Sequence, residues 1–153
     1  MTLANTFALF SIIGGIALMS GNAAAQLAPT NIIRDPTGGY THRTVEIPPG
    51  SRVLYISGQT ATDNKGFTPP DAETQADVTY AKLVKSLEDA GMTIKDLVKT
   101  NVYLVNPSDI GAIAKAGAKY NPGGKQAGTL VYVKALALPE VLVEIEAVAA
   151  RKD

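Results

Sequence analysis

The sequence predicts an α+β domain with the element order β-β-α-β-α-β-β and two helices on one face of its sheet. Three observations lead there. Val98 to Val105 and Leu142 to Ala149 are strand-like, with side chains that alternate between two faces. Two other stretches repeat apolar residues at spacings of three and four, as a helix with one buried face does. Breaks rich in Pro and Gly separate these stretches. Two helices can cover only one face of such a sheet.

Each element has its own signal. Gln26 to Gly39, rich in Pro, Gly, Thr and Asn, reads as an irregular arm. Thr44 to Ile47 and Arg52 to Ser57 read as two strands joined by the tight Pro48-Pro49-Gly50 turn. A polar loop from Gln59 to Pro70 follows, and Asp71 is placed to cap a helix. That helix carries Ala76, Tyr80, Leu83, Val84, Leu87 and Ala90 on one face, and Gly91 ends it as a left-handed cap. Val98 to Val105 is β-branched and alternating. Asn106-Pro107 starts the second helix, whose predicted face is Ile110, Ile113, Ala114, Gly117 and Tyr120. Asn121-Pro122-Gly123-Gly124 stops it. Thr129 to Leu136 and Leu142 to Ala149 are the last two strands. Val102 and Leu104 oppose Tyr103 and Val105, so apolar groups lie on both sides of the sheet. The uncovered face then needs a partner, and a second subunit is the simple one.

Composition bounds the chemistry. The 153 residues suit one domain. Lys plus Arg and Asp plus Glu number 14 each, and no basic cluster is present to track phosphates, so nucleic acid is not an expected partner. The absence of cysteine excludes disulfides, thiolate metal sites and cysteine nucleophiles. His42 is the one histidine, which rules out a multi-histidine metal site. No metal-ligand spacing or dinucleotide fingerprint appears, so neither metal nor cofactor is expected.

The first 26 residues contain no charged residue, and every Asp, Glu, Lys and Arg follows them. An apolar run from Phe7 to Met19 leads to Ala23-Ala24-Ala25. Residues 1–25 therefore read as a signal peptide, with residues 26–153 as the single mature domain. The run is short for a membrane span and glycines interrupt it. An uncleaved anchor and a different start codon are the alternatives. Cleavage implies a periplasmic or secreted protein with no membrane partner afterwards.

Single residues offer modest signals. Gly58 ends an apolar strand, which suits either close approach to a ligand or an ordinary turn. Tyr40 and His42 read as a polar pair in a pocket or as the surface of an edge strand. Gly123-Gly124-Lys125 lacks the spacing of a phosphate loop. Glu144 and Glu146 share one strand face, either because that face is wet or because one of them lines a site.

Four blocks, in this order, resemble the Rid family, also called YjgF or RidA. They are Ser57-Gly58-Gln59, Leu87-Glu88-Asp89-Ala90-Gly91, Asp96 to Leu104, and Val143-Glu144-Ile145-Glu146-Ala147-Val148-Ala149. The similarity runs from about Tyr40 to Arg151. It implies a chorismate-mutase-like fold and a homotrimer with small-molecule clefts between subunits. It also implies hydrolysis of reactive enamines and imines made from amino acids, without metal or cofactor. In that family an arginine clamps the substrate carboxylate, as a planar guanidinium does well. A glutamate helps to position the attacking water.

By resemblance Glu144 is the catalytic candidate, and Glu146 has a structural role. Tyr40 matches an N-terminal aromatic, with Gly39 in place of the preceding proline, and Gly58 matches the cleft glycine. Gly128 stands where the arginine is expected, and the cleft asparagine falls on Ala114. Lys125 is placed to substitute for the lost cation, or else is an exposed loop lysine. Two functions follow: a deaminase with weakened carboxylate binding, or a non-catalytic trimer that binds a small ligand in the same clefts.

Overall fold

The computed structural model of the chain describes residues 32–34 and 44–152. Its strands are β1 (Ile32–Arg34), β2 (Thr44–Glu46), β3 (Arg52–Gln59), β4 (Leu97–Leu104), β5 (Ala127–Tyr132) and β6 (Val143–Arg151). The helices are α1 (Ala72–Asp89) and α2 (Ile110–Tyr120). Strands β3 to β6 form one sheet in the order β3-β6-β4-β5. The β3–β6 and β6–β4 pairs are antiparallel, and β4–β5 is parallel. Residues 1–25, expected to be a signal peptide, lie outside the described residues, as does Tyr40.

The α+β class holds, with three corrections. The arm contains a strand, because β1 pairs with β2 in a separate two-stranded sheet. The two strands read as joined by a tight turn, β2 and β3, do not pair with each other. Pro48 and Pro49 fix the backbone, the Ser51 N–H and hydroxyl both donate to the Pro48 carbonyl and close the turn, and β3 enters the other sheet. The fifth strand covers 127–132 rather than 129–136, since it runs parallel to β4 and its pairing ends where β4 ends, at Leu104 and Tyr132.

Helix α1 forms as its sequence requires. The Asp71 carboxylate accepts the Thr74 N–H at 2.8 Å and caps the first turn. Hydrogen bonding to Thr74 holds that carboxyl below the usual range. Gly91, at φ +67°, turns the chain, and Met92 N–H closes the last turn on the Leu87 carbonyl. Ala76, Tyr80, Leu83 and Leu87 are buried against the sheet. Helix α2 follows a 3-10 turn, Pro107–Asp109, rather than starting at Asn106. Its buried side is Ile113 and Ala116, while Ile110 and Ala114 face out. Gly117 makes room for the Tyr80 hydroxyl, and the Tyr80 and Tyr120 rings stack at 5.9 Å.

The core lies between these helices and one sheet face. Ile56 of β3, Val102 and Leu104 of β4, and Val143, Ile145 and Ala147 of β6 meet Leu83, Leu87 and Ile113. The opposite face is less apolar than expected. Its centre holds Asn101, Glu144 and Glu146, with Val53, Tyr55 and Val131 exposed around them.

One buried polar residue ties the two layers together. Gln75 of α1 is fully buried. Its amide nitrogen donates to the carbonyls of Pro69 (2.7 Å) and Glu140 (2.8 Å), and its oxygen accepts the Leu142 N–H at 2.8 Å. Gln75→Leu keeps the volume and strips three backbone groups of their partner. It should lower unfolding free energy by about 2–4 kcal/mol, since each buried unsatisfied group costs about 1–3 kcal/mol. Urea unfolding measures this, and an unchanged midpoint would refute the role.

Candidate functional site

Gln75 fixes the chain where β6 begins, two residues before Glu144. From there alternation does the rest. Val143, Ile145, Ala147 and Ala149 are buried under the helices, so Glu144 and Glu146 project from the opposite face. In the β4–β6 register, Tyr103 stands opposite Glu144 and Asn101 opposite Glu146.

The two acids have different surroundings. Glu146 accepts from Asn101 Nδ2 at 2.5 Å and from the Tyr103 hydroxyl at 3.0 Å, both on one carboxylate oxygen. That bond to Glu146, together with desolvation, raises the Tyr103 pKa, so the phenol stays protonated and keeps donating. Glu144 has no hydrogen-bond partner among the described residues. Its carboxylate lies against the backbone of Gly58. A Cβ on Gly58 would stand 1.8 Å from Glu144 Oε1. Ile56 pairs with Ala147 and Gln59 with Ile145, so Ser57 and Gly58 together oppose Glu146 in a β-bulge. The bulge brings the glycine under the carboxylate.

Beside this pair lies a cavity of about 260 Å³, lined by Tyr55, Ser57, Lys99, Asn101, Glu146 and Val148 among others. Lys99 donates to Thr129 Oγ1 at 2.8 Å. A larger cavity of about 370 Å³ lies between the helices, lined by Glu73, Asp77, Lys115 and Lys119. There the charges pair with each other, Lys115 with Glu73 and Lys119 with Asp77. The Lys119 bond holds the Asp77 carboxyl below its usual range, and Asp77 in turn raises Lys119. The four charged residues of that groove are matched in pairs, and exposed pairs contribute only about 0–1 kcal/mol. Among the described residues no cluster of three His, Cys, Asp or Glu could hold a metal ion, and no helix is long and apolar enough to cross a membrane.

The expected site residues fall into three groups. Gly58 and Glu144 meet. Gly128 pairs with Thr100 on β5, and Lys125 is exposed in the turn before that strand. Strand β4 separates both from Glu144 within one protomer, since neighbouring strands are about 4.8 Å apart. Tyr40 lies outside the described residues. Asn101 and Tyr103 were not singled out from the sequence. Their signal is the alternation of polar and apolar residues in 97–104, which gains meaning only when the register sets them against the two glutamates.

With this geometry in view, the comparisons are specific. Residues 30–151 match the family described as Endoribonuclease L-PSP. A Rid-family protein of unknown function from Yersinia pestis, YyfB, superposes with a TM-score of 0.63 at 38% identity, over 71% of this chain and 84% of its own. The chain belongs to the Rid family. Protein mmf2 of Schizosaccharomyces pombe is 27% identical over 124 residues, covering 80% of this chain and 96% of its own. Escherichia coli TdcF, solved with bound serine, has a TM-score of 0.58 at 26% identity, over 69% of this chain and 84% of its own.

These relatives correct the expected periplasmic or secreted location. The fission-yeast proteins mmf2 and mmf1 are both mitochondrial by name, which counts against that expectation. The export reading rested on a composition pattern, a short apolar run before small residues, with nothing in the fold to test it.

The contact between Gly58 and Glu144 makes a prediction. Gly58 does not have positive φ, so alanine is conformationally allowed there. Its obstacle is the far end of a flexible side chain. Gly58→Ala should change stability by less than about 1 kcal/mol while displacing the Glu144 carboxylate. Thermal unfolding together with a crystal structure checks both halves, and a Glu144 left in place would show the seat to be unimportant.

Proposed function

We propose that this Rid-family protein is an imine and enamine hydrolase of the deaminase type, using Glu144 in a cleft between subunits of a homotrimer. The observation that carries the reading is the unpartnered Glu144 carboxylate on Gly58, beside a Glu146 already held by Asn101 and Tyr103. A carboxylate without a structural bond can orient water and take its proton. The water oxygen bonds to the imine carbon as the C=N π electrons move to nitrogen. The proton returns to nitrogen and gives a carbinolamine; its hydroxyl proton then passes to nitrogen as the oxygen electrons form the C=O bond, the C–N bond breaks, and ammonia leaves a carbonyl product. Water is the one co-reactant, and no electron changes hands.

Carboxylate recognition is weakened in this reading, because Gly128 offers no side chain for a clamp. A buried charged partner contributes about 2–5 kcal/mol to such binding. The same observation supports a second reading, a non-catalytic trimer that holds a small ligand in those clefts. The serine bound to TdcF supports a small ligand in either case. RNA cleavage, suggested by the description of the matched family, is not adopted. The chain has no net positive charge, and two glutamates occupy the candidate face.

The exposed Val53, Tyr55 and Val131 support assembly through the sheet face, with Tyr55 80% exposed in the protomer. Light scattering should give about three times the 16.0 kDa of one chain. A stable monomer at micromolar concentration would refute this.

Hydrolysis is tested with imines generated in situ by an amino-acid or amine oxidase and followed against their spontaneous decay. Glu144→Gln should lower kcat/KM by roughly 10²-fold or more. Undiminished turnover by that variant would remove Glu144 from the mechanism. No turnover by the unmodified protein would leave the binding reading.

A further inference from the structure

We infer that Lys82 of α1 is the positioning residue that keeps Gly58 under the Glu144 carboxylate. Its effect on turnover rests on the proposed role of Glu144; its effect on the geometry does not.

A bulge is one residue away from vanishing. Between Ile56 and Gln59, β3 takes three steps where β6 takes two. If the chain past Gln59 slid back by one residue, about 3.3 Å, regular pairing would return and Gly58 would leave the carboxylate. The sheet itself resists this weakly. Strand β3 lies at the edge of the sheet, with β6 as its one neighbour. Its ladder stops at the Gln59–Ile145 pair.

Lys82 supplies the resistance. It is half-buried, and its ammonium donates to the carbonyls of Thr60 at 2.9 Å and Thr62 at 2.5 Å, just past the bulge. Bonds from a charged donor are the strong ones. Ala61, between the two carbonyls, is buried. A slip of one residue would carry both carbonyls off the ammonium and draw Ala61 out of its buried place. The rest of the loop holds itself. The Thr62 and Thr68 hydroxyls bond at 2.8 Å, and Asp63 accepts the Lys65 and Phe67 N–H groups. A loop bonded to itself moves as a unit, so its place is set where α1 holds it. Lys82 holds its entrance, and Gln75, bonded to the Pro69 carbonyl, holds its exit. These two residues lie about two turns apart on one face of α1. Every one of these contacts lies within one protomer and holds whatever a neighbouring subunit adds to the cleft.

The test uses the assembled full chain. Lys82→Met keeps the aliphatic stem and removes the ammonium. It should move the Glu144 carboxyl carbon and Ser57 amide resonances and speed amide hydrogen exchange at Ser57, Gly58 and Gln59 about tenfold, leaving Val102 of β4 unchanged. Lys85→Met removes a cation from the same helix, where Lys85 pairs with Asp89, and should move none of these. In imine hydrolysis Lys82→Met should lower kcat about tenfold or more with KM little changed, because a misplaced Glu144 still leaves the substrate bound. Residues that act through one another do not multiply their effects. Added to Gly58→Ala, Lys82→Met should therefore cost little further rate and move the Glu144 signal little further. If Lys82→Met does not fold, Lys82→Gln, which removes the charge alone, carries the same comparison. An unmoved Glu144 signal, an equal effect of Lys85→Met, or multiplied effects in the double variant would each overturn the inference. Unmoved signals beside Glu144-dependent hydrolysis would overturn it and keep the proposed activity. Moved signals in a protein that hydrolyses no imine would support it and sink that activity.

Discussion

A single buried amide organises this molecule. Gln75 belongs to α1 but bonds to Glu140 and Leu142, in the chain just before β6, and to the loop before the helix. Side chains of a strand alternate, so a shift of one residue in β6 would exchange its core face for its outer face. The Leu142 N–H bond resists that shift at the strand's first residues. Strand β6 is also central, paired on both edges, so its phase is imposed on β3 and β4. The seating of Glu144 on the β3 bulge and the placement of Tyr103 opposite it both depend on that phase.

The same alternation explains how two neighbouring acids acquire different duties. They share a face and differ by one pleat. One pleat suffices, because Asn101 and Tyr103 both reach Glu146 and the bulge delivers a bare backbone to Glu144. The bonded carboxylate gains rigidity from two donors. The other keeps its full capacity to bond to something arriving from outside. The inventory of side chains near them does not separate the two; their hydrogen bonds do.

Much of the fold was legible in the sequence because local period and caps determine element type. Asp71, Gly91 and the spacing from Ala76 to Leu87 place α1, and the alternation in 142–149 places β6. Pairing was harder to read, since it is a relation between distant segments. Strand β1 has three residues and no periodicity to detect, and the partner of β2 is chosen by the Pro48-Pro49 turn. Helix α2 is short and rich in alanine and glycine, so its buried side was misjudged at Ile110 and Ala114. Family resemblance assigned Gly58 and Glu144 separately to a cleft, and their contact is a finding of the geometry. The roles of Asn101 and Tyr103 are properties of register and were invisible without it.

The contact between Gly58 and Glu144 also constrains how such a protein can change over time. While the glutamate is present, a side chain at position 58 takes its seat. Once the glutamate has been replaced by something shorter, position 58 is free to accept almost any small residue. A glutamate regained afterwards would find its place filled and would do nothing useful until glycine returned. The two positions therefore form a ratchet: each loss removes the selective reason to preserve the other, and recovery needs two substitutions in a fixed order. A lineage that abandons this carboxylate abandons it for a long time.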